Sequence, residues 1–386
     1  MKTIAEREMK LWRRNHPPTA GGCRALDVWF SRLPSGGSLG PWFTRELRGR
    51  SITLGEVDLP QPDVWAQHFG DDSSIIVISS SLIDFFEAIS KVLTGNSVMA
   101  SAHAPDVAAT LTGSQASERL LELFGEWDKM WRGEKLRDNV VALSERASVG
   151  AALLSREILF FILMHEVGHV ALHPDVRRPE DRLPKQEYQA DRWALSPAVI
   201  GLQGMESHPS YGAVGATLAI RIIWALEQMG YHFTGSHPPA RYRLAQLRCE
   251  WRRFLNSDAR YFEFTGAAIQ FEEQLAGAVE IMRGSRPVLT ARRLVARLLL
   301  CLDMLGRGEI SFEQTRDALA NDLDRSTDAV LARATAIILK VMAEYASWAR
   351  EDGPNAHDYR ELVRTYTDFI CSPKLPARLA VLRSNA

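Results

Sequence analysis

The sequence predicts an α+β fold that is predominantly helical, with a small sheet near the N-terminus and an all-helical C-terminal region. Three observations carry this. Strand-like pieces are read only near 51–58 and 74–80. Beyond that point the apolar residues recur at helical spacing. From residue 256 onward no alternating pattern interrupts them. With 386 residues, 46% of them hydrophobic, the chain can form two or three regions with a sizeable core. The expected division is 1–147, 148–255 and 256–386.

Taken in order, residues 1–72 are mixed and punctuated by HPPTAGG, LPSGGSLGP and LPQPD. Strand-like pieces stand near 51–58 and 74–80, because β-branched residues fit a pleated, half-buried surface. Residues 81–93 predict a helix, with Leu82, Phe85, Phe86, Ile89 and Val92 on one face. The stretch 95–117 is small and polar and reads as loop. Helices are expected at 117–132 and 136–147. The run AALLSREILFFILM at 151–164 has the composition of a buried helix. Further helices are expected at 185–195, 211–229, 238–255, 259–283, 289–306, 311–322, 326–350 and 357–370. No internal repeat of 30–50 residues is evident.

The stretch that carries chemistry is HEVGH at 165–169, followed by EYQAD at 187–191. Residues four apart on a helix project from one face, so His165 and His169 can bring two imidazole nitrogens to one metal ion. Catalytic zinc sites usually take three protein ligands and leave one position for water. Glu166 lies about 100° round the helix from His165 and can reach that water, where a general base belongs. Glu187 is the candidate third ligand. Pro174, Pro179 and Pro184 in the intervening HPDVRRPEDRLPKQ stop the first helix near His173 and start the next near 184–185. Asp191, one turn past Glu187, can accept a hydrogen bond from the non-ligating nitrogen of a ligand His. Gly168 leaves room for a second element to approach closely.

This constellation resembles the gluzincin clan of zinc metallopeptidases, in which a Glu on a second helix completes the site. The words HEVGHVALH and EYQADRWA are similar to the ImmA/IrrE- and Lit-type intracellular proteases. SHPPARYRL at 236–244 resembles the His-Pro-Pro element of the HtpX-, Oma- and Ste-type peptidases. The resemblance covers about 73–95 and 148–255, and it implies a zincin-like catalytic core with Zn²⁺ on His165, His169 and Glu187. It implies Glu166 as general base, and His237 close to the metal as an oxyanion donor or a resting-state cap. It further implies Asp191 oriented on His165. Relative to that compact pattern, residues 96–147 read as an insertion that either covers the cleft or elaborates the packing.

Other residues keep two readings. His237 within Ser236-His237-Pro238-Pro239 also reads as a plain helix start. Arg243 either forms a buried ion pair at the site or joins Arg241 and Arg248 on a solvated face. Tyr231 and His232 are candidate transition-state donors or ordinary loop residues. His173 reads as a helix end rather than a ligand. His16, His68, His103, His208 and His357 show no ligand spacing and read as ordinary.

The net charge of −1 gives no basic surface for nucleic acid or anionic membrane. No uninterrupted apolar run reaches the length of a bilayer span, and the N-terminus has no signal-peptide core. Cys23, Cys249, Cys301 and Cys371 form no CxxC pair, which fits a reduced cytoplasm. The expected activity is zinc-dependent endoproteolysis of intracellular proteins, regulated by a protein partner or a stress or phage-defence trigger. An extended peptide substrate would pair with a sheet edge at 74–80. The alternative is a non-catalytic zinc-containing regulator that binds a partner through its helical C-terminal region.

Overall fold

The computed structural model describes residues 3–17, 39–47, 49–59, 61–95, 113–136, 141–176, 181–201, 210–231, 237–284, 290–324, 326–351, 356–373 and 375. His103, His208, His232, Ser236 and Cys23, among the residues weighed above, lie outside them. The fold is α+β and predominantly helical, with one three-stranded mixed sheet. Its contacts divide the chain into two compact units, one running to Glu250 and one from Trp251 onward.

In the first unit, α1 (Ile4–Asn15) opens with a capping box. The Thr3 hydroxyl accepts from the Glu6 amide while the Glu6 carboxylate accepts from the Thr3 amide. Ala5 and Met9 then pack on Val57, Ile75 and Val77 of the sheet. The short helix α2 (Leu39–Leu47) follows. Strands β1 (Ser51–Val57), β2 (Val64–His68) and β3 (Ser73–Ser79) stand in the order β1-β3-β2, with β1 parallel and β2 antiparallel to β3. Every residue of β3 is buried, as its unbroken SSIIVIS run requires when both faces are covered.

The sheet corrects two expectations. The strand foreseen at 74–80 is β3, but it is central, so it has no edge to offer a substrate; the edges belong to β1 and β2. β2 and the helices α1 and α2 were not foreseen. VWAQH is short, follows LPQPD, and carries a polar Gln and His that blur its alternation.

β3 runs straight into α3 (Ser80–Gly95), and α4 (Gly113–Trp131) packs on α3 through Phe85, whose ring lies 4.7 Å from that of Trp127. The start of α4 falls inside the stretch expected to be loop. The helix expected at 136–147 is not formed over 141–144. Ser144 there takes an extended conformation and caps α5 (Glu145–Leu172), accepting the Ala147 amide at 3.3 Å. The helix ends at His173, whose N–H donates to the His169 carbonyl, because Pro174 cannot continue it.

α5 is the pillar of this unit, packed against α3, β2, α6 (Pro184–Gly201) and α7 (Ser210–Gln228). Over Ala147–Leu172 it is long and apolar enough to cross a membrane by length and composition, beyond what the 151–164 run alone indicated. Most of that window is buried within the protein, as in the core helix of a folded domain. Gly168 sits where α6 crosses: a Cβ there would lie 3.2 Å from the Ala190 backbone. α8 (Ala240–Leu255) begins where Glu227, from the end of α7, accepts the Ala240 amide at 2.9 Å.

The second unit is all helical in its described residues: the tail of α8, α9 (Asp258–Met282), α10 (Ala291–Gly306), α11 (Phe312–Asp324), α12 (Asp328–Trp348) and α13 (Ala356–Cys371). Ser257, Thr290 and Thr327 cap α9, α10 and α12 through their side chains. Cys249, Cys301 and Cys371 carry free thiols.

Candidate active site

The motif folds as its spacing demands. His165, Glu166 and His169 project from the buried middle of α5, and a carboxylate oxygen of Glu166 lies with ring nitrogens of both histidines inside 4.8 Å. Glu187 stands on the first turn of α6, which Pro184 starts and which crosses α5 at Gly168. Its Oε2 lies 3.3 Å from His165 Nε2 and its Oε1 lies 3.3 Å from His169 Nε2. The two Nε2 atoms are 3.1 Å apart. His237, just before α8, brings its Nε2 to 3.4 Å from Glu187 Oε2.

Two carboxylates surround the imidazoles and do different work. Asp191 Oδ1 lies 2.9 Å from His165 Nδ1. A carboxylate only accepts, so Nδ1 carries a proton and Nε2 turns toward Glu187 and His169. Asp191 is itself clamped by Arg243, whose Nε and Nη2 donate to its two oxygens at 2.8 and 2.7 Å. Arg243 is buried, so the ion-pair reading holds and the solvated-face reading does not. Burial pushes the Asp191 carboxyl up, but the guanidinium outweighs it and holds the group down at about 2.

Glu187 is fully buried and neither of its oxygens has a hydrogen-bond partner among the described residues. Burial alone would raise its pKa; the adjoining His165 and His169 reverse this and hold it well below the carboxylate range. On His165, burial works downward, but Asp191 and Glu187 push the ring up to about 9. Without a metal, a second proton on His165 therefore neutralises this cluster. Burial takes His169 down to about 4 and lowers His237, so both stay neutral with a lone pair to give.

The arrangement fits a divalent cation. Ligands held about 2.05 Å from a tetrahedral zinc stand about 3.3 Å from one another, and the nitrogen and oxygen atoms here are separated by 3.1–3.4 Å. Imidazoles with a carboxylate are zinc-type donors. A buried carboxylate whose oxygens meet imidazole nitrogens at 3.3–3.4 Å, without a hydrogen bond of good geometry, suits a shared divalent ion.

Beside this cluster opens a cavity of about 910 Å³, with His165, Glu166, Arg182, His237 and Arg243 in its polar part. Trp65, Phe86, Phe161, Ile220, Ile223 and Leu226 supply most of its apolar wall. Trp127, Asp128 and Trp131 of α4 line it too, so the region set apart as an insertion both packs on α3 and reaches the site. Tyr231 is on the same wall. His173 caps its helix, and His68 bonds Ser74 Oγ through Nδ1 at 2.9 Å, away from the cluster of imidazoles.

Sequence reasoning missed two residues here. Arg182 was one of three arginines in a polar linker, yet it is buried and donates from Nη2 to Glu166 Oε2 at 3.1 Å. Asp63 lines the cavity, and burial, aided by the nearby Glu166 charge and opposed by the Val64 amide, lifts its carboxyl to about 6. No local spacing marks either one.

Residues 77–260, just under half of the chain, match the family described as Peptidase U49. The matched span runs through 96–147, the segment the sequence reading set apart, and contains every residue of the cluster. No curated protein and no solved structure matches the chain. The family match supports a peptidase.

Proposed function

We propose that the protein is a zinc-dependent endopeptidase that cuts intracellular proteins. The observation that carries this is Glu187: a buried carboxylate faced at 3.3–3.4 Å by the Nε2 atoms of His165, His169 and His237, at the mutual spacing of ligands round one zinc. His165, His169 and Glu187 would hold the ion. A bound zinc supplies Lewis acidity, polarising a scissile carbonyl and lowering the pKa of water.

The chain's own residues supply the rest. Glu166 takes a proton from the attacking water and returns it to the leaving amine. Asp191 keeps the His165 proton on Nδ1, and Arg243 keeps Asp191 ionised and oriented. His237 is placed to donate to the developing oxyanion, or to serve as a further nitrogen donor in the resting protein. The cavity beside Glu166 has room for substrate side chains along its largely apolar wall. That cavity weighs against a purely structural metal site, because a closed structural site needs no chamber next to its acid.

The test pairs metal analysis with the Glu166→Gln variant. The purified protein should carry one zinc per chain, and Glu166→Gln should keep it while losing hydrolysis by at least about a hundredfold. Mapping new protein termini in cells expressing either form would identify the substrate. Full activity in Glu166→Gln would end the general-base assignment.

A further inference from the structure

The hydrogen bonds of β2 show which of its backbone groups are spoken for. Ser79 N–H donates to Asp63 C=O and Phe69 N–H donates to Ser73 C=O, each at 2.9 Å. In the register that sets Val64 opposite Ile78 and His68 opposite Ser74, positions 63, 65, 67 and 69 therefore turn their backbone groups toward β3. Val64, Ala66 and His68 turn theirs the other way, along the outer edge of the sheet. One of these outward groups is taken by a side chain: Arg182 Nη2 donates to Ala66 C=O at 3.3 Å. The same nitrogen donates to Glu166 Oε2 at 3.1 Å. Val64, Trp65, Gln67, Arg182 and Glu166 all line the one cavity.

We propose that Arg182 is a built-in latch, occupying on the β2 edge the hydrogen-bond position of an incoming peptide strand while it holds Glu166. An extended peptide that adds to β2 must place a backbone N–H on Ala66 C=O. That strand and the guanidinium approach Ala66 C=O from the same outward side of β2, so docking the strand displaces Arg182 and with it the contact to Glu166. The partner is thus an extended peptide segment, and its recognition and the release of the base are a single event. A short ligand that does not reach the β2 edge leaves the latch closed. This rests on the peptidase reading above, and its test separates the two.

The probes are short internally quenched peptides for turnover, and fluorescently tagged versions of the same peptides for binding. The latch predicts that Arg182→Gln, which removes the charge but keeps a donor, lowers KM about tenfold with kcat within a factor of about two. A residue that only positions Glu166 would give the reverse split, a fall in kcat at unchanged KM, and that result overturns the proposal. Arg182→Gln leaves a buried carboxylate short of a partner, so Glu166→Gln provides a second arm that leaves the arginine in place. It loosens the same contact from the other side and should bind tagged peptide several-fold more tightly than the wild type. Equal or weaker binding there rules out the latch. This binding arm needs no hydrolysis, so it can fail or succeed whatever becomes of the peptidase reading.

Discussion

Two glutamates, one in each unit, are equally hidden from solvent and differ in what answers them. Glu272 on α9 is 1% exposed and accepts from Arg292 Nη2 at 2.7 Å. Elsewhere in that unit the half-buried Glu344 accepts from the Ser257 hydroxyl and from the Ala259 amide at 2.9 Å, closing the start of α9. Glu187 on α6 is 0% exposed and meets three imidazole nitrogens at 3.3–3.4 Å, with no hydrogen bond of good geometry. In the helical unit, buried charge ties helices together. In the first unit, the same residue type sits among imidazole nitrogens that could share a metal with it. That setting makes Glu187 a candidate ligand in a way that Glu272, paired with an arginine, is not.

The sharpest way to break this contrast is to neutralise each glutamate in turn. Glu187→Gln should abolish zinc retention through dialysis, measured as metal per chain, while costing the metal-free fold less than the helical counterpart does. Asp191→Asn should weaken zinc by about 10–100-fold in competition with a chelator, because it loses the group that fixes the His165 tautomer. Glu272→Gln should leave zinc untouched and cost about 1–3 kcal/mol in urea unfolding, since it removes the charge that Arg292 pairs with. If Glu187→Gln kept its zinc and instead lost stability as Glu272→Gln does, the two sites would be alike and the metal reading would fail.

A smaller effect follows from pH. His165 is raised to about 9 in the metal-free protein, so zinc must displace its second proton. Zinc affinity should therefore fall by about tenfold per pH unit as pH drops below about 9, the direction expected when ligands must deprotonate. The stabilisation that the protonated ring gives the metal-free fold runs the opposite way. It is fully present below the ordinary histidine pKa of 6.5 and is lost as pH rises through about 9. Chelator titrations and thermal melts across that range check both signs, and a flat zinc affinity would show that His165 is already singly protonated.

Much of this was legible because it is local. The four-residue step from His165 to His169 and from Glu187 to Asp191 puts each pair on one helix face whatever the rest of the chain does. Prolines 174 and 184 mark where α5 stops and α6 starts. The β3–α3 junction was readable from SSIIVISSSLIDFF, where an unbroken run of Val, Ile and Ser gives way to helical apolar spacing. The all-helical character of the second unit was readable from its apolar spacing, as at Leu294, Leu298 and Cys301. What failed was short or shared. VWAQH lacks the length and alternation to declare β2, and the helix expected at 136–147 ran through Ser144, the residue that starts α5 instead.

By itself, then, the sequence determined the two same-face pairs, His165 with His169 and Glu187 with Asp191, because helical periodicity is a property of neighbours and needs no partner element. Only the tertiary structure decided that Arg243 would clamp Asp191, that β2 rather than β3 would form an edge, and that Arg182 among three linker arginines would reach both Glu166 and Ala66. Those contacts join residues from 16 to 116 positions apart. Their free energy comes from burial and from opposite charges brought together, and no spacing along a chain encodes which distant group will be there.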